Sequence, residues 1–78
     1  MEILELDRLI REKVSEYYYN NDGKFENPNK LIINENTFKI IEDAYTMQFN
    51  NQMPSRILYQ GMRIVRTRDI SENEIIVC

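Results

Sequence analysis

The 78 residues include no histidine, no tryptophan, two glycines and a single cysteine, Cys78. Without histidine the chain lacks the usual general base, the usual metal-binding imidazole and any Ser-His or Cys-His nucleophile pair. One cysteine excludes a disulfide framework and a thiolate zinc cage, both of which need several. Two glycines, Gly23 and Gly61, cannot make a glycine-rich phosphate loop. The longest apolar run is four residues, too short to span a membrane, and no apolar targeting segment opens the chain. Thirteen acidic against ten basic residues give a net charge of −3, which weighs against nucleic acid as the main partner.

The acidic residues offer no evident catalytic pair. Glu42 and Asp43 sit together on the wet side of a helix, whereas a carboxylate pair must face itself across a cleft. Asp69, Glu72 and Glu74 belong to a turn, and their spacing fits no calcium loop. Cys78 has no neighbouring positive charge to activate its thiol and reads as a bystander in a reducing compartment. The expectation is a chain that is not an enzyme and takes no cofactor or metal.

Apolar residues are nonetheless plentiful. Leu, Ile, Val and Phe number 22, enough for a folded core and too many for a disordered chain. A chain this short buries only about 60% of its unfolded surface, so its core is marginal unless something supports it. With disulfides and metal cages excluded, self-association or docking on a partner is the remaining support.

Residues 1–78 read as one domain, an amphipathic helix over 1–20 followed by a β-α-β-β-β unit over 27–78. Ile3, Leu6, Ile10, Val14 and Tyr17 fall in an arc of roughly 80° on a helical wheel running from Glu2 to Tyr19. Asp7 and Arg11 form an i,i+4 pair on it. Asn20-Asn21-Asp22-Gly23 supplies the stop. Leu31-Ile32-Ile33 is a buried strand, and Asn34 is the N-cap of a second helix running from Glu35 to Gln48. Arg56–Tyr59 and Met62–Thr67 read as strands hinged at Gly61, at a bulge or a tight turn, and Glu74–Cys78 as a last strand. The order α-β-α-β-β-β makes the chain α+β, a small, mainly antiparallel sheet packed against two helices.

The stretch NPNKLIINENTFKIIEDA from Asn27, with ILYQGMRIVRTRDISENEIIV after it, is similar to the C-terminal, peripheral-domain part of tailed-phage major capsid proteins. In that family a short strand ends in Asn and starts a helix. A polar loop follows, an apolar residue and Gly lead into a strand (here Gly61-Met62-Arg63-Ile64-Val65), and a short closing strand completes the pattern (here Ile75-Ile76-Val77). Shell-forming subunits are several times longer and carry an extended arm and further domains. The resemblance over residues 27–78 therefore implies a stand-alone relative of phage or prophage type, unable to build a shell itself. It would contact capsid subunits or a host protein, in the cytoplasm of a bacterial host or on the virion.

Two sets of residues are candidates for contact. On the second helix, Phe38, Ile41, Tyr45 and Phe49 form one apolar stripe, and Ile40, Ala44 and Met47 a second. An apolar arc that wide must be covered on two sides, by the first helix or by another chain. Tyr17 belongs to the apolar stripe of the first helix, Tyr18 flanks it, and Tyr19 points outward with nothing local to bury it. Tyr18, Tyr19, Ile40, Ala44 and Met47 are thus the expected protein interface, and a homo-oligomer the expected state. The alternative is a small regulator that binds nucleic acid through Arg63, Arg66 and Arg68. Strand alternation sets Arg63 apart from Arg66 and Arg68, and Asp69, Glu72 and Glu74 are the acids expected to pair with them.

Overall fold

Helix α1 (Ile3–Asn20) forms where the apolar spacing predicts it, and it turns Leu6 and Ile10 into the core. The computed structural model describes residues 1–20, 27–54 and 56–78, so the stop expected at Asn21-Asp22-Gly23 lies outside the described residues. Strand β1 (Lys30–Asn34) leads directly into helix α2 (Glu35–Phe49). Strands β2 (Leu58–Tyr59), β3 (Met62–Thr67) and β4 (Ile75–Val77) complete the α-β-α-β-β-β order. No helix among the described residues is long and apolar enough to cross a membrane.

The strands form one mixed sheet in the order β2-β3-β1-β4. Both outer pairings are antiparallel, as expected, but the central pair β1–β3 is parallel, with Leu31 beside Ile64 and Ile33 beside Arg66. A parallel pair requires a crossover, and α2 with β2 supplies it. β2 and β3 make a two-residue hairpin whose central residues, Gln60 (φ 51°) and Gly61 (φ 81°), both take the left-handed angles that suit the twist of the strands. β2 is shorter than the predicted Arg56–Tyr59, because only Leu58 and Tyr59 find register partners on β3.

Alternation divides the sheet. Leu31, Ile33, Met62 and Ile75 point to the helices and are buried with Leu6, Ile10 and Ile41. Both helices cover this one face.

The start of α2 locks the closing turn in place. Asn34 Oδ1 accepts from the Asn36 N–H at 2.8 Å, satisfying one of the orphan donors of the helix, while its Nδ2 donates to the Ile70 carbonyl at 2.6 Å. The hydroxyl of buried Thr37 donates to the Glu72 carbonyl at 3.0 Å, and Asn36 Nδ2 donates to the Glu72 carboxylate at 2.7 Å. At the other end of α2, Asn50 takes the left-handed cap conformation and its N–H donates to the Thr46 carbonyl. Asn34→Ala removes both the cap and the strap to Ile70, and should cost about 2 kcal/mol in urea unfolding. A loss under about 0.5 kcal/mol would show that this junction is not what holds residues 70–72.

Candidate functional site

Helix α2 carries more apolar surface than the sheet covers. Its buried line is Thr37 and Ile41, with Phe38, Ile40, Ala44 and Tyr45 half-buried to either side. Ile40 packs against the core and borders a shallow pocket that Met1 also lines. Further along, the cover ends. Met47 is 87% exposed and Phe49 56%, with the Phe49 ring tilted against Tyr45 at 4.6 Å.

An open groove of about 250 Å³ runs between the start of α1, the second half of α2 and strand β2. Leu4, Ala44, Tyr45, Ile57, Leu58 and Tyr59 contribute to its walls. Leu4 and Leu58 stand out from it at 79% and 61% exposure. The groove is mostly hydrocarbon, with convex apolar side chains beside a concave apolar floor.

A polar clamp fixes one wall. The Tyr59 hydroxyl donates to Asp7 Oδ1 at 2.9 Å, Gln60 Nε2 donates to the same oxygen at 2.7 Å, and the Arg11 guanidinium lies 3.0 Å from Asp7 Oδ2. The hairpin turn is thereby tied to the first helix. Burial, together with the hydrogen bond and charge of Asp7, pushes the Tyr59 hydroxyl up to about 12. It is a fixed donor and not a base. The Asp7–Arg11 pair was expected from spacing; the arrival of Tyr59 and Gln60 was not.

No family model, curated protein or solved structure matches the chain. The reading of the site therefore rests on its own geometry.

The expected interface residues do not form one surface. Ala44 lines the groove and Met47 stands close by in sequence on the same helix, whereas Tyr18 and Tyr19 lie at the opposite end of α1 from Leu4, about 22 Å away along the helix axis. The Tyr18 hydroxyl donates to Asn27 Oδ1 at 2.6 Å and its ring meets Tyr17 edge-on. Tyr19 is 84% exposed, as its position on the wheel indicates. Leu4 and Leu58 are the apolar residues that sequence reasoning passed over, while Phe49 is on the expected apolar stripe but not in the expected interface. Leu4 had a visible signal, since it falls outside the buried arc of α1.

The three arginines do not form one set, although Arg63 and Arg66 both border a pocket beside Phe38 and Glu42. Arg66 faces the helices and lays its guanidinium over the Phe38 ring, 5.0 Å from the centroid. Arg68 pairs with Glu35, 2.6 Å away, and holds the Glu35 carboxyl below its usual range. The acid that takes Arg68 therefore comes from α2, not from Asp69, Glu72 or Glu74, because the parallel pairing brings Asn34 and the start of α2 beside Thr67. Arg63 sits on the other face of the sheet, where alternation from buried Met62 puts it. Two of the three are engaged within the fold, and they make no common stripe. Among the described residues, no three acidic or thiol side chains are grouped to hold a metal ion.

Because the folded state keeps the Tyr59 proton to about pH 12 while the ordinary tyrosine value is 10.0, the clamp contributes fully below pH 10 and is lost as pH rises through 12. Ultraviolet titration of the folded protein should show a late tyrosinate step near pH 12 that is absent in Tyr59→Phe. An unchanged titration in the variant would mean that Asp7 does not hold this hydroxyl in solution.

Proposed function

We propose that this chain is a non-catalytic module that acts through protein–protein contacts, the first of them with a second copy of itself. The observation that carries this reading is the apolar groove with the outstanding side chains of Leu4 and Leu58 on its walls, together with exposed Met47 and Phe49 on the helix that forms its third side. Large apolar side chains gathered in this way on a small protein mark a contact surface. A concave apolar floor beside convex apolar side chains also suits a two-fold contact, in which each copy inserts into the other.

The surface area supports the same reading. A compact 9.4 kDa monomer is expected to expose about 5000 Å², whereas this chain exposes 6051 Å². The surplus, on the order of 1000 Å², matches what one partner contributes to a standard interface, about 800 Å². The radius of gyration points the same way, at 12.8 Å against about 11.5 Å for a compact domain of this length.

The resemblance of residues 27–78 to the C-terminal part of tailed-phage major capsid proteins supports a phage or prophage type of protein. A capsid or host protein is then the second class of partner, and a cytoplasmic or virion-associated setting goes with it. Nucleic-acid binding has less support, since Arg66 and Arg68 already have partners within the chain.

Sedimentation velocity at ~100 µM should find a dimer, because complexes with Kd near ~10 µM are well populated there. Met47→Glu and Leu58→Glu place charges at the groove without touching the core. Together they should return the protein to a monomer with its unfolding midpoint nearly unchanged. A wild-type chain that sediments as a monomer at ~100 µM would overturn the self-association.

A further inference from the structure

The sheet face away from the helices carries a patterned surface. Val65, Ile32 and Ile76 are register neighbours on β3, β1 and β4, so they form a continuous apolar row across three strands. One step along, Leu58, Arg63 and Lys30 form a parallel row on β2, β3 and β1. Arg63 and Lys30 are direct partners in the parallel ladder and both are exposed. Among the described residues neither cation forms an ion pair.

Like charges opposed on neighbouring strands destabilise a sheet. The chain holds thirteen acidic residues, yet no described one comes within ion-pair distance of either cation. Folding gives no reason for the pair to be there; recognition does. We propose that this open face docks an amphipathic helix of another protein, its apolar side on the Val65–Ile32–Ile76 row and carboxylates at its flank on Lys30 and Arg63.

The dimensions fit one helix. Three adjacent strands span about 10 Å, which is about two turns of a helix laid along the row. The two cations beside the row set the sign of the partner's flank. An apolar row with no aromatic ring on it gives a nucleic-acid base nothing to stack on. The Val65–Ile32–Ile76 row is distinct from the groove, which lies on the helical side of the sheet; Leu58, on the edge strand β2, borders both.

The probe is a peptide of about 18 residues, long enough to hold a helix in water, with leucines along one side and glutamates beside them. Its twin replaces each glutamate with lysine. Methyl NMR on the wild-type protein should show the glutamate peptide shifting Ile32, Val65 and Ile76, with the lysine twin binding about tenfold more weakly. Lys30→Glu combined with Arg63→Glu should reverse that preference. Equal binding of the two peptides, binding of neither, or shifts confined to Ala44 and Met47 would each overturn the proposal. So would equal shifts of the same methyls by a short DNA duplex, which would make the face a phosphate-binding one.

Discussion

Two helices can cover one face of four short strands, and that limit governs the molecule. Among the described residues, the apolar core it allows is Leu6, Ile10, Leu31, Ile33, Ile41, Met62 and Ile75. The remaining apolar residues cannot enter it, because among the described residues the helices cover only one side of the sheet and α2 can turn only part of its circumference inward. At roughly 25 cal/mol per Å² of apolar surface removed from water, each large side chain left outside forgoes about 2 kcal/mol of stabilisation. For a small domain with total stability of about 5 kcal/mol or little more, several such residues are a large fraction. The exposed groove and the open sheet face are therefore two consequences of one geometric shortage.

Polar contacts set where the surplus lies. Asn34 joins the cap of α2 to the turn at Ile70, and the Glu72 carbonyl closes over Thr37. The first half of α2 is held firmly against the sheet, which leaves its second half as the part that projects. Asp7 does the equivalent at the other side, gathering Arg11, Tyr59 and Gln60 so that the β2–β3 hairpin and the start of α1 become the fixed walls of the groove. A preorganised wall of this kind lowers the entropy lost when a partner docks.

Local signals made much of this legible in the sequence. The apolar spacing of Ile3, Leu6 and Ile10, the cap at Asn34 and the hairpin at Gly61 each depend on near neighbours, and each element forms where those signals put it. The parallel pairing of β1 with β3 was not legible, because strand direction depends on a crossover and leaves no mark on either strand. Its effects reach the site. It brings Glu35 to Arg68, Phe38 to Arg66, and Lys30 beside Arg63. Met47 was visible as an outlying apolar residue, while Leu58 was hidden inside an ordinary-looking strand whose outer face proves to be open. The split between Tyr19 and the groove follows from helix length alone, since the two ends of an 18-residue helix cannot share one contact.

The central claim is that this apolar surplus is closed by a second copy, and it can be seen atom by atom. In a sample mixing isotope-labelled and unlabelled chains, filtered nuclear Overhauser spectra report only contacts between copies. The account expects cross-peaks from the Met47 methyl of one copy to the Leu4 or Leu58 methyls of another. Absence of any such cross-peak at a concentration of ~1 mM, where even weak dimers form, would contradict it.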